Sequence, residues 1–250
     1  MNNQNIFDRK QLQKNLHRFQ GFIQDYNWFY DKIANIILDN IELRNQDFID
    51  ILEINPKNNF FANYFAPKNY QSIKFQNISD ENSLDFNNQK YDLIINYLDL
   101  HYINNVPDFL ANIRNFLKPN GVFIASFFGD ENLPELTKSI ADAERTIYQR
   151  NSFYIPPTID IKTSARLLSY VGFKNPIADL EKIIINYDDP INLLQDIKKS
   201  GQGNILTNRP RKFFSKKLFQ KTLENYHNFY NKEQNCYPAT INIITISGEI

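Results

Sequence analysis

Apolar residues recur at helical spacing through Phe19, Ile23, Trp28, Ile33, Ile36, Ile37 and Ile41, which predicts a helical segment over residues 6–45. The pattern then shortens. Phe48-Ile49-Asp50-Ile51-Leu52-Glu53-Ile54 reads as a first strand, and Pro56, whose φ suits a first helical turn, opens a helix to about Phe65. Pro67 breaks the chain, residues 71–78 read as a second strand, and residues 80–89 as a polar loop. Tyr91-Asp92-Leu93-Ile94-Ile95-Asn96-Tyr97-Leu98 is a largely apolar run of the kind that a parallel sheet buries on both faces.

Residues 106–117 form an amphipathic helix, which Lys118-Pro119-Asn120-Gly121 closes as a stop and a turn before a fourth strand over 121–128. Helical patterns follow at about 132–149 and 160–171, the second ending at Gly172. A strand is predicted at 180–187, helices at 190–199 and 210–231, and a final strand at 239–247. Strands alternating with helices predict a single α/β sheet. The expected organisation is an N-terminal helical segment over 1–45 and an α/β domain over 46–250, with helical insertions around 131–172 and 189–232.

Composition narrows the function classes. With 28 basic and 28 acidic residues the chain of 250 has no net charge to recruit nucleic acid or an anionic membrane. One cysteine, Cys236, and three histidines exclude a disulfide framework and a closed cysteine–histidine zinc site. The opening residues lack an apolar signal core and no apolar run approaches spanning length, so the expectation is a cytoplasmic protein without membrane insertion.

The candidate chemistry begins with an absence. No glycine occurs between Gly21 and Gly121, although the turn after the first strand is where an α/β fold uses glycines to bring backbone close to a cofactor. That turn reads Asn55-Pro56-Lys57-Asn58-Asn59. Asparagine and isoleucine are abundant and alanine scarce, as AT-rich codon bias produces, so each missing glycine counts for less than it would elsewhere.

Asp50-Ile51-Leu52-Glu53-Ile54-Asn55-Pro56-Lys57-Asn58-Asn59 resembles the first motif of class I S-adenosylmethionine-dependent methyltransferases, with Asn55, Lys57 and Asn59 at the glycine positions. Residues 79–86 and Tyr91-Asp92-Leu93-Ile94-Ile95 resemble the adenine-side acidic loop and the strand after it. Residues 100–105 and 117–123 are similar to the segments that follow. Asn5-Ile6-Phe7-Asp8-Arg9, residues 125–136, residues 187–204 and Ala239-Thr240 resemble one branch of that family. It contains the mitochondrial complex I assembly factor of methyltransferase fold and its alphaproteobacterial relatives, and more distantly the malonyl-carrier-protein methyltransferase of biotin synthesis. The resemblance covers nearly the whole chain. It implies a Rossmann-like, mostly parallel sheet with an antiparallel C-terminal strand, S-adenosylmethionine as cofactor and a respiratory complex I subunit as partner.

The departures decide how much of that carries over. Asparagine tolerates the left-handed conformation, so Asn55 and Asn59 can keep the shape of a glycine turn. Lys57 points a long cation toward the space of the methionine portion; one alternative is that it pairs with the cofactor's carboxylate. From Glu53 to Asp80 there is room for one helix and one strand, where the family fits two of each, so the fold is expected to lack one βα unit. The missing unit carries the carboxylate that takes the ribose hydroxyls, and no acidic residue lies between Glu53 and Asp80 to replace it. Gly201-Gln202-Gly203-Asn204 has an amide where the branch has a carboxylate.

The resemblance marks Glu53, Asn55, Lys57, Asp80 and Glu81 as the cofactor contacts, with Tyr97 and His101 facing the transferred group or substrate. His101 reads either as a general base or as a packed histidine that positions the strand end, the second being favoured. His17 and His227 fall in polar helical segments and read as surface residues. No pattern resembles a two-histidine, one-carboxylate iron triad. The basic run Arg209-Pro210-Arg211-Lys212-Phe213-Phe214-Ser215-Lys216-Lys217 reads as the solvated start of a helix or as a contact for an acidic surface. Ser126 and Ser200 lack a nucleophile elbow and Cys236 lacks an activating neighbour. Three functions stay open: a complex I assembly protein with weak or lost cofactor binding, an active methyltransferase with an atypical loop, and a binding protein for an unrelated partner.

Overall fold

The computed structural model describes residues 5–66, 72–76, 81, 84, 89–149, 156–209 and 215–250. The chain divides into two compact units, one of residues 1–22, 130–158 and 182–242, the other of residues 23–129, 159–181 and 243–250. The strands are β1 (Asp50–Ile54), β2 (Ser72–Gln76), β3 (Tyr91–Tyr97), β4 (Leu117–Phe128), β5 (Lys174–Tyr187) and β6 (Tyr237–Glu249), and they form one sheet in the order β2-β1-β3-β4-β6-β5. β1 pairs in parallel with both β2 and β3, β3 pairs in parallel with β4, and β6 runs antiparallel to β4. The expected architecture, mostly parallel with an antiparallel C-terminal strand, is the observed one.

In the unit that carries β1 to β4, alternation along each strand sorts the side chains between two faces. Leu52, Ile54, Ile94, Phe123, Ala125 and Phe127 join one core with Phe109, Leu110 and Ile113 of α4 (Val106–Asn115) and Leu168 of α6 (Ile161–Tyr170). Ile51 and Glu53 therefore point to the other face. Helices α2 (Asn27–Glu42) and α3 (Phe60–Phe65) belong to this unit too, and α2 buries Tyr30, Ile33, Ala34, Ile37 and Ile41. Trp28, one of the apolar positions of the predicted stripe, is instead 52% exposed.

The shortened segment shows in the topology. A doubly wound sheet of order 3-2-1-4-5-6 places three strands on the first side of its switch point; here the described residues place only β1 and β2 there. Residues 77–90 separate β2 from β3, too few for a further crossover helix and strand.

Several boundaries differ from the sequence pattern. α3 begins at Phe60 and not at Pro56, because the Asn58 side chain accepts a hydrogen bond from the Phe60 amide at 3.1 Å and holds the preceding residues in a turn. β4 begins at Leu117, so Lys118-Pro119-Asn120 lies inside a strand; Leu117 pairs with Tyr91, and the register slips before Leu93 meets Val122. The Lys118 ammonium bonds Asp50 at 2.6 Å and Asp92 at 2.9 Å, clamping the starts of β1 and β3 at the end of the sheet away from the turn. At the slip, Gly121 has no room for a side chain: a Cβ there would lie 2.8 Å from the Lys118 carbonyl oxygen and 2.9 Å from that of Tyr91. Gly121→Ala should therefore cost about 1–3 kcal/mol, the usual penalty of overpacking, read as a lower urea midpoint with an unchanged slope.

The other unit contains α1 (Arg9–Phe19), α5 (Pro134–Tyr148), α7 (Pro190–Lys199) and α8 (Lys216–Tyr226). Leu136, Leu193, Tyr226 and Ala239 form its small core. Asp8 caps α1 through the Gln11 amide, and Phe7 bridges to Leu206, so the opening motif and the segment after Asn204 are bound together. α8 starts at Lys216 and gives way to a 3-10 turn at His227; of the predicted helix over 210–231, residues 210–214 lie outside the described ones.

Candidate functional site

The chain runs from β1 outward to β2 and returns to β3 on the other side of β1, which makes the C-terminal ends of β1 and β3 the switch point where open α/β sheets bind ligands. Glu53, opposite Ile95 in the register, is the polar group nearest that crevice along β1. It is fully buried, and neither carboxylate oxygen has a hydrogen-bond partner. Burial pushes its pKa up to about 8, and the positive charge of Lys57 pulls it part of the way back. An unpaired buried acid is costly, because desolvation disfavours its charged form and no donor compensates.

The turn after β1 is held without glycine. Asn55 takes a left-handed φ of 53° and donates from its amide to the Asp99 carboxylate at 2.9 Å, both residues being buried. The sequence allowed this conformation for Asn55 and Asn59 alike; Asn59, at φ −94°, does not use it. Asn58 is the hub of the turn. Its amide donates to Asp31 of α2 at 2.7 Å, and its oxygen accepts from the Tyr97 hydroxyl at 3.2 Å. Tyr97 is fully buried at the end of β3, edge-on to Phe61 of α3. Burial, and then the nearby charge of Glu53, raise its hydroxyl far above the ordinary tyrosine range. Lys57 is half-buried.

Four of the residues marked in the sequence thus gather at one strand end: Glu53, Asn55, Lys57 and Tyr97. Glu81 is placed differently, since its carboxylate accepts from the Asn104 amide at 2.8 Å and ties down the loop before α4. Asp80 lies outside the described residues. His101 is buried, its ring 4.0 Å from that of Tyr102 and 4.8 Å from that of Phe128, centroid to centroid. Ser126 shares a hydrogen bond of 2.6 Å with Thr245. Arg209 of the basic run pairs with Asp8 at 3.3 Å, within the unit of α1. Among the described residues no three His, Cys, Asp or Glu side chains converge as a metal site, and no helix is long and apolar enough to cross a membrane. Sequence reasoning missed Asp31 and the roles of Asn58 and Asp99; only the density of asparagines in a turn hinted at Asn58, through the tendency of its side chain to bond backbone two residues on.

Comparison with known proteins agrees with this architecture. The family described as "Methyltransferase domain" matches residues 42–125. The chain is 41% identical over 153 residues to the putative methyltransferase RP459 of Rickettsia prowazekii, which covers 61% of this chain and 67% of that protein. It is 28% identical over 265 residues to the human protein named arginine-hydroxylase NDUFAF5, mitochondrial, covering 98% of this chain and 76% of the relative. Among solved structures, an N-methyltransferase of Haemonchus contortus in complex with phosphomonomethylethanolamine and S-adenosylhomocysteine superposes with a TM-score of 0.53. It is 12% identical, over 96% of this chain and 59% of that one, and shows the fold alone.

Proposed function

We propose, since the chain belongs to the class I methyltransferase family, that it serves the assembly of respiratory complex I as a methyltransferase-fold protein whose binding of S-adenosylmethionine is weak or lost. The observation that carries this reading is the turn after β1, where Lys57 holds a position that the family gives to glycine and its charge acts on the buried Glu53. The cofactor's methionine end brings an ammonium and a sulfonium, which suit a buried carboxylate; here the positive charge of the chain's own Lys57 already acts on that group. At the ribose end, the sequence offers no acidic residue between Glu53 and Asp80, and β2 is the last described strand on that side. The donor set suits one end of the cofactor and leaves the other without its usual acceptor. The link to complex I rests on the branch resemblance and on the similarity to the human relative over 98% of this chain and 76% of that protein.

Calorimetric titration with S-adenosylhomocysteine should give no heat at micromolar ligand and at most millimolar affinity. A micromolar Kd would overturn the weak-binding reading. Affinity capture with the tagged full chain should recover complex I subunits; recovery of other proteins alone would favour a binding role for an unrelated partner. One pair of observations favours a second reading, an active methyltransferase with an atypical loop. Asn55 already holds the left-handed conformation that a glycine would supply, and both oxygens of Glu53 await donors.

A further inference from the structure

Helix α2 carries a second stripe that its core does not explain. Tyr30, Ile33, Ala34, Ile37 and Ile41 face inward, so helical periodicity sets Trp28, Lys32, Asn35 and Asp39 along the outer side. Trp28, the only tryptophan of the chain, stands exposed on this polar side. Between the stripe and β5 lies an open groove of about 440 Å³, lined by Trp28, Asp31, Lys32, Ile36, Asp39 and Glu181 among others. Ala178 of β5 packs toward the core that holds α4, so alternation along the strand turns Ile177, Asp179 and Glu181 toward α2. The groove thus gathers the carboxylates of Asp31, Asp39 and Glu181, with Asp179 on the same face of β5, and Lys32 is the one cation among its described lining residues. Asp39, Asp179 and Glu181 are exposed and, among the described residues, form no ion pair. On its outer side β5 has no neighbouring strand among the described residues, which leaves a row of backbone donors and acceptors at the sheet edge.

We propose that this face is a docking surface for an extended basic segment of a partner protein, which adds to the free edge of β5 and turns its basic side chains over the groove. The two features choose the occupant together. A free strand edge takes up an extended segment through main-chain hydrogen bonds, and alternate side chains of that segment then supply the specificity. Those on the α2 side meet Asp179 and Glu181 across the strands. An acidic segment, a nucleic acid or an anionic membrane meets like charge here. A second copy paired about Leu180 sets Asp179 directly against Glu181, two like charges that weaken the pairing. Such a surface operates whether or not the crevice at the switch point holds a cofactor.

Trp28 reports on the groove directly, because no other tryptophan contributes to the emission. The full chain is titrated with a short synthetic peptide that alternates lysine with threonine, and with its counterpart that carries glutamate for lysine. The lysine peptide should shift the Trp28 emission to the blue and saturate, and the glutamate peptide should leave it unmoved. Backbone amide resonances of residues 177–181 should move with the lysine peptide, as strand addition requires. The variant Asp39→Asn with Glu181→Gln removes two exposed charges and should weaken the lysine peptide roughly five- to tenfold. Glu224→Gln, an exposed acid of α8, should bind the peptide as wild type does. An unmoved emission, an equal response to the glutamate peptide, amide shifts that spare β5, or a double variant that binds like wild type would each overturn the proposal. So would a dimer of the chain alone, seen by sedimentation velocity, whose formation shifts the Trp28 emission, since the face would then belong to a second copy.

Discussion

Replacing Glu53 by glutamine should flatten the dependence of stability on pH between about pH 5 and pH 8. The sign follows from linkage. Glu53 titrates near 8 in the folded chain against 4.5 for an ordinary glutamate, so between those values the folded state binds the extra proton and the unfolded state does not. Its contribution is most favourable below the ordinary value and is lost as pH rises toward the folded one, at up to ~1.4 kcal/mol per pH unit. Over the window this approaches about 4 kcal/mol, a large share of a typical domain's stability. The charged groups that face the carboxyl are Lys57 from the turn, which holds the midpoint down, and Tyr97 from β3, whose hydroxyl stays protonated throughout. Urea unfolding at a series of pH values measures it: the wild type should weaken steadily from pH 5 to 8, and Glu53→Gln should show much less of that slope. A wild-type curve as flat as the variant's would mean that Glu53 ionises in the fold without penalty.

The same residues show how far the sequence could be read. β1 and β3 were legible because a strand buried on both faces needs a nearly continuous apolar run, and Ile51 to Ile54, interrupted by Glu53 alone, and Leu93 to Ile95 provide one. That the described residues place only β1 and β2 on the first side of the switch point was legible as chain length, which topology must respect. The wiring of the turn was not. Asn58 takes its role from Asp31 and Tyr97, 27 and 39 residues away, and no local pattern encodes such a meeting. Glu81 shows the converse: its type and position fit a cofactor contact, while one oxygen of its carboxylate accepts from the Asn104 amide, a bond that no local pattern encodes. β5 starts well before the predicted Leu180 because it lies at the sheet edge. Its first half is mostly exposed and so carries no inward pattern to read.

Substitutions at Asn55 should rank by two separable effects, backbone conformation and the bond to Asp99. Asn55→Gly keeps the left-handed φ at no steric cost and removes the side chain, leaving the buried Asp99 carboxylate without that donor; about 1–3 kcal/mol of stability should go. Asn55→Ala loses the same bond and adds the strain of a β-carbon in the left-handed region, a further ~1–2 kcal/mol. Asn55→Asp keeps the shape but sets a second carboxylate against Asp99 in a buried site, so it should be the least stable of the three at neutral pH and should recover on acidification. Denaturant midpoints of the four proteins give the order wild type, Gly, Ala, Asp. An alanine variant as stable as the glycine one would show that the turn relaxes to negative φ when freed, and that its conformation is imposed by Asp99 alone. A glycine variant as stable as wild type would mean that the Asp99 bond contributes nothing. The asparagine would then be a neutral replacement for the glycine that the family places there, and Lys57 would be the departure in this turn that still calls for a test.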